Sequence, residues 1–263
     1  MRILSFIFFI AFSCFSAAQN MEPISNAHAH NDYKHERPLL DALQYGFTSV
    51  EADVFLIRDT FFVYHNLPLK PDPTRTLEHL YLKPLKDRVD TYGHVYPAYE
   101  GAFYLMIDIK SNGEKAFQPL QDLLNKYNAY LNDNTEVTEK PIKVFISGNR
   151  PYEEILSDST LLFALDGRPD DLGQHIPTSF MPVVSTHYKK VYKWKKKGEI
   201  SKKHKKALQT LVQTAHDEGK KVRLWAVPDH PKSWAFLQVN AVDLINTDDL
   251  HGLQQFLTQK NKN

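Results

Sequence analysis

Short apolar runs, rich in β-branched and aromatic residues, recur along the whole chain. Runs of this kind with hardly a polar position inside them are typical of parallel strands that are buried on both faces. They lie at residues 24–27, 48–54, 103–109, 142–147, 161–166, 181–185, 222–227 and 242–246. The pattern therefore predicts eight buried strands.

Between several of these runs the apolar residues repeat every three or four positions, which is the period of an amphipathic helix. Helices are predicted at residues 38–45, 115–130, 205–218, 231–238 and 250–260. The patterns after the second, fourth and fifth strands are weak or short, and residues 61–65 are expected to form an extra hairpin strand or an extension. Alternating strands and helices favour parallel pairing, and eight strands favour a (β/α)8 TIM barrel over an open doubly wound sheet.

The beginning of the chain has the organisation of a secretory signal peptide. Arg2 precedes an apolar run at residues 3–12, and small residues follow it up to Ala18. Because this run is too short for a permanent transmembrane helix, we expect cleavage near Ala18 and export to the periplasm or the medium. An uncleaved membrane anchor is the alternative. We therefore predict a signal peptide over residues 1–18 and a single barrel domain over residues 19–263.

Composition restricts the chemistry that the domain can use. Of the 263 residues, 42% are hydrophobic and 24% are charged, which is typical of a globular domain and excludes a disordered or fibrous chain. The single cysteine, Cys14, lies in the predicted signal peptide, so the mature chain has no thiol for a disulfide, a nucleophile or a zinc site. With 32 basic and 31 acidic residues the chain is close to neutral, and we expect no nucleic-acid partner.

Acidic residues stand near the carboxyl ends of two predicted strands, where a TIM barrel holds its active site. Glu51 and Asp53 are two positions apart on the second strand, so their side chains point to the same side. Two such carboxylates repel each other unless a cation lies between them, and oxygen ligands suit Mg²⁺ or Ca²⁺. Asp108 on the third strand supplies a third oxygen, and Lys110 shares its face as a candidate phosphate contact. The sequence thus predicts a site for one divalent cation.

Histidines follow the first two strands and are candidates for general acid and base, because the pKa of imidazole lies close to neutral pH. His28 and His30 follow the first strand, and alternation places both on one side of it; His30 is favoured because it lies nearer the loop. His65 follows the expected hairpin strand. Asn31 and Arg150, which also follow strand ends, are candidate substrate contacts.

These residues resemble the phospholipase-C-like phosphodiesterase superfamily, which includes the glycerophosphodiester phosphodiesterases and the sphingomyelinase D enzymes. The resemblance rests on the first-strand histidines, Glu51-x-Asp53, His65-Asn66, Asp108-x-Lys110 and the sequence AVDLINTD at residues 241–248. The sequences HAHNDY at residues 28–33 and RPLLDAL at residues 37–43 are most similar to the branch typified by altered inheritance of mitochondria protein 6.

The resemblance implies a metal-dependent phosphoric diester hydrolase that acts on a glycerophosphodiester or a phospholipid-headgroup substrate. The three carboxylates named above would hold the metal, and His65 would act with a first-strand histidine as the acid–base pair. Lys110 would contact the phosphate, and Trp225 would line the substrate end of the pocket. In these families a substrate hydroxyl often attacks the phosphorus while the metal neutralises developing charge. The chain lacks the usual His-Arg-Gly and Glu-Asn-Thr sequences, and Asn66 replaces a common Asp.

Two other functions stay open on the sequence. A zinc hydrolase of the amidohydrolase type would use His28, His30, His187 and Asp248, because imidazole ligands favour zinc. A barrel that binds a phosphorylated ligand without hydrolysing it would explain the missing arginine and the replacement at Asn66. The sequence does not indicate the oligomeric state.

A strongly basic segment runs from Lys189 to Lys206 and contains ten lysines. In a barrel it follows the sixth strand and is expected on the catalytic face. Such a segment is expected either to contact an anionic surface or to form the solvated, basic beginning of a helix.

Overall fold

The computed structural model describes residues 22–97, 99–135, 139–194 and 199–260. The predicted signal peptide lies outside the described residues, so its cleavage and the export of the chain stay predictions. Within the described ranges, no helix combines the length and the apolar character that crossing a bilayer requires.

The described residues form nine strands in one sheet. In chain order these are β1 (Ile24–Ala29), β2 (Phe47–Ile57), β3 (Thr60–Val63), β4 (Phe103–Ile109), β5 (Ile142–Gly148), β6 (Ala164–Gly167), β7 (Val183–His187), β8 (Lys221–Trp225) and β9 (Leu244–Thr247). All but β3 pair in parallel in the order β1-β2-β4-β5-β6-β7-β8-β9, and β9 pairs with β1. Eight strands therefore close into a barrel, and the predicted (β/α)8 TIM barrel is confirmed.

Helices surround the barrel. They are α1 (Leu40–Gln44), α2 (Lys83–Tyr92), α3 (Gly113–Asn125), α4 (Tyr152–Ser157), α5 (Tyr188–Val191), α6 (Lys202–Asp217), α7 (Pro231–Val239) and α8 (Leu250–Lys260). A π-helical stretch, Glu78–Leu82, leads directly into α2. The helical segment after the second predicted strand is therefore longer than its sequence pattern indicated. The pattern is weak because Leu85 is the buried residue of α2.

The hairpin of β2 and β3 rises above the barrel and carries part of the site. The two strands pair antiparallel from Val54 and Val63 to Ile57 and Thr60. The two residues between them have left-handed φ angles of 49° and 62°, as a tight type I′ hairpin turn requires. The expected extra hairpin strand is therefore present, and it returns the chain from the tip of β2 towards the mouth of the barrel.

A small apolar cluster closes the barrel interior below the site. Its buried members, which lie on five different strands, are Met106, Phe145, Ala164, Val183 and Leu244. Side chains alternate along a strand, so Met106 on β4 points to the same side as Asp108, two residues closer to the carboxyl end. The interior is therefore packed with apolar side chains at one level and lined by polar ones at the next.

Candidate active site

Three carboxylates meet in the middle of β2 and near the carboxyl end of β4. Glu51, Asp53 and Asp108 each offer an oxygen within 4.8 Å of the others. Asp53 and Asp108 are partners in the parallel register of the two strands, which places them side by side. Nζ of Lys110 lies 3.1 Å from Oδ2 of Asp53 and 3.1 Å from Oδ1 of Asp108. The structure thus brings together the four residues predicted to hold a metal and to contact phosphate.

The electrostatics of this carboxylate cluster favour a bound cation. Burial and the neighbouring charge of Glu51 raise the pKa of Asp53 to about 6, and burial also raises the pKa of Asp108. Oδ1 of Asp53 is buried and has no hydrogen-bond partner among the described residues. Three clustered carboxylates with an unpartnered oxygen are a donor set of the kind that Mg²⁺ or Ca²⁺ binds. The cluster is therefore compatible with one divalent metal ion.

Gly148 leaves the space that Asp108 occupies. Its φ is +69°, and a Cβ atom at this position would lie 2.2 Å from Oδ1 of Asp108. Both the left-handed backbone and this close approach require glycine at the end of β5. The end of β5 is therefore shaped to admit the carboxylate of the neighbouring strand.

His30 lies at the cavity after β1 and is fixed by an acidic partner from the other end of the chain. Its Nδ1 lies 2.5 Å from Oδ1 of Asp248, and its Nε2 lies 3.9 Å from Oε2 of Glu51. The amide of Asn31 also donates to Asp248, at 3.1 Å. Burial lowers the pKa of His30, but the hydrogen bond with Asp248 and the charge of Glu51 outweigh it, so the pKa is raised. His30 is therefore oriented and favoured in its protonated form.

His65 stands across the carboxylate cluster from His30. Its Nδ1 lies 2.8 Å from Oδ2 of Asp53, and 52% of its side chain is exposed. The hydroxyl of Tyr33 lies 2.8 Å from the same Asp53 oxygen and 2.6 Å from Oδ1 of Asn31. Both histidines thus engage a carboxylate through Nδ1 and line the same cavity.

The structure corrects the expectation that His28 serves as acid or base. The residue is fully buried, and its Nδ1 is 2.7 Å from Oγ of Ser49. Its Nε2 is 3.0 Å from Nη1 of Arg223. Burial and the charge of Arg223 lower the pKa of His28 to about 4. A neutral imidazole with both nitrogens engaged and no exposed surface cannot touch a substrate, so His28 is a structural residue beneath the site.

Arg223 is a functional residue that sequence reasoning missed. It lies on β8, and its Nη1 contacts Oε2 of Glu51 at 3.2 Å and Oδ1 of Asn246 at 2.9 Å, besides His28. Burial raises the pKa of Glu51, but the His28 ring, whose Nε2 lies 3.7 Å from Oε2 of Glu51, and the Arg223 charge outweigh this effect, so the pKa is lowered. The signal was present in the spacing of Arg223 and Trp225, which share one face of the strand.

The site opens into a cavity of about 620 Å³. Its basic lining residues are Lys34, Lys110, Arg168 and Arg223. Trp225 lies in the wall and is 36% exposed, and its contact with a substrate stays a prediction. Four cationic side chains around an acidic centre provide an environment that attracts an anionic ligand.

Arg150 does not reach this cavity, which corrects its prediction as a substrate contact. Its guanidinium donates to the backbone oxygen of Asp166 and lies over the ring of Tyr152, 5.6 Å from the centroid. Arg168, which the sequence reasoning missed, lines the cavity instead. Nη1 of Arg168 lies 2.9 Å from Oδ2 of Asp166, and its Nη2 lies 3.3 Å from Oγ of Ser147.

The alternative zinc site is not formed. Among the described residues, the carboxylate cluster is the one set of three or more acidic, histidine or cysteine side chains placed to share an ion. His187 accepts a hydrogen bond from the backbone N–H of Lys189, and its ring lies 4.4 Å from that of Trp225. The prediction of a zinc ion shared by His28, His30, His187 and Asp248 is therefore wrong.

Comparison with known proteins agrees with the fold. Residues 16–164 match the AIM6-like phosphodiesterase domain. Altered inheritance of mitochondria protein 6 from Eremothecium gossypii is 30% identical, over 89% of this chain and 69% of that protein. The Arthroderma benhamiae homologue is 27% identical, over 87% of this chain and 82% of its own length.

Two solved structures share the barrel. A glycerophosphodiester phosphodiesterase from Parabacteroides distasonis superposes with a TM-score of 0.59 at 19% identity, covering 91% of this chain and 99% of that one. A putative glycerophosphoryl diester phosphodiesterase from Silicibacter pomeroyi gives a TM-score of 0.55 at 14% identity, covering 92% and 97%. The chain therefore belongs to the AIM6-like phosphodiesterase family, a branch of the phospholipase-C-like phosphodiesterase superfamily.

Proposed function

We propose that this protein is a metal-dependent phosphoric diester hydrolase that acts on a glycerophosphodiester or a phospholipid headgroup. One observation carries the proposal. Two histidines, His30 and His65, flank a cluster of three carboxylates at a cationic cavity, and each is hydrogen-bonded through Nδ1 to a carboxylate. Phosphodiester cleavage needs one proton taken and one given, together with stabilisation of charge on the phosphate.

The carboxylate cluster would hold one divalent cation, Mg²⁺ or Ca²⁺, through Glu51, Asp53 and Asp108. When bound, the cation supplies positive charge that stabilises the negative charge developing on the phosphate oxygens. Two observations support this. Oδ1 of Asp53 is buried without a hydrogen-bond partner among the described residues, and the pKa of both aspartates is raised, so their negative charge is poorly stabilised by the protein alone.

The histidines move the protons. Asp248 stabilises the protonated ring of His30, so we assign to His30 the donation of a proton to the leaving ester oxygen. His65 accepts the proton of the attacking hydroxyl, which belongs to the substrate or to water. The new P–O bond forms as the ester P–O bond breaks, and the two proton transfers leave both oxygen atoms neutral. Lys110 is placed to contact a phosphate oxygen.

The test is hydrolysis of a panel of phosphodiesters, glycerophosphocholine among them, by the purified protein. We expect no turnover after chelation and recovery with Mg²⁺ or Ca²⁺. His30→Ala and His65→Ala should each lower kcat by about 10²- to 10⁴-fold. His79→Ala, which changes an exposed histidine outside the cavity lining, should keep the activity of the unchanged protein.

Unreduced turnover in His65→Ala would refute the catalytic assignment. Tight binding of a phosphodiester without turnover, in the presence of bound metal, would instead favour the barrel that binds a phosphorylated ligand.

A further inference from the structure

Positive charge is concentrated in one segment of this protein. Residues 189–206 contain ten lysines and one acid, Glu199, although the whole chain has a formal charge of only +1. The remainder of the chain is therefore net acidic. Seven of these lysines lie in the described part of the chain, and all seven are exposed. This lysine surface consists of Lys189, Lys190, Lys193, Lys202, Lys203, Lys205 and Lys206.

The charges of the lysine surface are not neutralised by described acidic side chains. No ion pair joins any of the seven to an aspartate or glutamate in the described ranges, whereas Lys86 on α2 pairs with Asp90 one turn away. On α6 the apolar residues Leu208 and Val212 are buried, and the lysines near its beginning face solvent. The surface therefore presents uncompensated positive charge to whatever approaches it.

Four of the lysines stand where a helix tolerates them poorly. Lys202, Lys203, Lys205 and Lys206 occupy four of the first five positions of α6, and no acidic residue accompanies them in the first turn. The amino terminus of a helix carries a partial positive charge, so cations there oppose the helix dipole. These lysines destabilise the beginning of α6, which indicates that they serve the binding of a partner rather than folding.

The lysine surface adjoins the mouth of the cavity. The ring of His187, at the end of β7, contacts Trp225 in the cavity wall, and Tyr188 stacks on His187 with centroids 5.3 Å apart. Nζ of Lys189 lies 5.9 Å from the centre of the Tyr188 ring. The beginning of α6 lies at the same end of the barrel, because barrel helices run antiparallel to the strands that precede them.

We propose that the lysine surface binds a bilayer containing anionic phospholipids, with the mouth of the cavity turned towards the lipid. Clusters of four to eight basic residues are suited to the diffuse negative potential of such a membrane. The surface contains lysine and no arginine. Lysine is a hydrated point charge and lacks the planar guanidinium group with which arginine forms bidentate hydrogen bonds to phosphates and bases in nucleic acids. The proposal goes beyond hydrolysis and does not depend on it.

Co-sedimentation with vesicles tests the proposal without any enzymatic readout. The full chain is mixed with vesicles of phosphatidylcholine containing about 30% phosphatidylserine, or of phosphatidylcholine alone, at low and at high salt. We expect binding to the anionic vesicles that weakens at least about tenfold in high salt, and little binding to the neutral ones.

Two matched variants locate the binding surface. The first carries Lys202→Gln, Lys203→Gln, Lys205→Gln and Lys206→Gln, and should bind anionic vesicles about 100-fold more weakly or worse. The control removes the same charge from exposed lysines elsewhere, through Lys70→Gln, Lys83→Gln, Lys115→Gln and Lys126→Gln, and should bind as the unchanged protein does. Because the first variant relieves charge at a helix terminus, its unfolding temperature should be unchanged or higher, which excludes misfolding as the cause of lost binding.

Three results would overturn the proposal. Equal loss of binding in both variants would show that net charge alone matters, and equal binding to neutral vesicles would show that charge does not. Tighter, lysine-dependent binding to an RNA or DNA duplex than to vesicles would identify a nucleic acid as the partner. Failure of the phosphodiesterase assay would leave the vesicle result intact, so the two proposals fail separately.

Discussion

Replacing Asp32 by asparagine is expected to make the stability of this protein less sensitive to pH. The carboxyl group is completely buried, and its Oδ2 accepts hydrogen bonds from the Leu39 N–H at 2.6 Å and from the Tyr81 hydroxyl at 2.8 Å. Its Oδ1 has no hydrogen-bond partner among the described residues. An ionised carboxylate is therefore poorly solvated there, and burial raises the pKa of Asp32 from 3.8 to about 7.

The sign and size of the effect follow from this shift. A pKa that is higher in the folded chain favours folding fully below about pH 4, where both states are protonated. As the pH rises, the unfolded chain ionises first, and the free energy of unfolding falls by about 1.4 kcal/mol per pH unit until the folded carboxyl ionises near pH 7. The total loss across this interval is about 4 kcal/mol. Asparagine keeps the shape of the side chain without its charge and should avoid the loss.

Urea unfolding in metal-free buffer, followed by tryptophan fluorescence from about pH 4 to about pH 8, measures the effect. The stability of Asp32→Asn relative to the unchanged protein should increase steadily over this range and level off near neutral pH. Asp170→Asn removes a carboxyl from an exposed position and should follow the unchanged protein at every pH. A difference between Asp32→Asn and the unchanged protein that does not vary with pH would refute the reasoning.

Three further predictions concern the site. Arg223→Gln leaves the Glu51 carboxylate buried without its cation and should lower the free energy of unfolding by about 3–5 kcal/mol in urea; a loss under about 1 kcal/mol would contradict the pairing. Gly148→Ala pushes against the Asp108 carboxylate and should weaken Mg²⁺ or Ca²⁺ binding at least about tenfold in calorimetric titrations. Gly173→Ala, with a similar left-handed backbone but open space around it, should bind metal normally; equal affinities in both variants would count against the cluster. Metal at about 100 times its Kd should raise the free energy of unfolding of the unchanged protein by about 2.7 kcal/mol. The same metal concentration should stabilise Gly148→Ala clearly less. No stabilisation of the unchanged protein would mean that the folded chain holds no metal.

The barrel and the carboxylate cluster were accessible from the sequence because both depend on local rules. Strands buried on two faces produce continuous apolar runs whatever surrounds them, and side chains two positions apart share a face of any strand. The register of the two strands then places the carboxylates side by side, because Asp53 and Asp108 are direct partners across β2 and β4. The apolar runs and the shared strand faces require no knowledge of distant neighbours, whereas the register does.

The polar contacts between distant strands were not accessible in the same way. Alternation places His28 and His30 on one side of the strand, but it does not reveal that His28 is completely buried against Arg223. Arg150 and Arg168 both follow strand ends and both contact Asp166, but of the two it is Arg168 that lines the cavity. Such choices depend on partners far away in the chain, and no pattern in one sequence displays them.

The contacts of Arg223 with His28, Glu51 and Asn246 show that the site depends on strands from both halves of the barrel. Residues 16–164, the portion matched to the family, contain the three carboxylates and both histidines, yet Arg223 and Asp248 come from the last two barrel strands or just beyond them. A half-barrel ending after β6 would hold the chemical groups without the cation that compensates Glu51 or the acid that orients His30. Closing the ring of strands is therefore a requirement of the chemistry as well as of the fold, and the site is complete only when β9 pairs with β1.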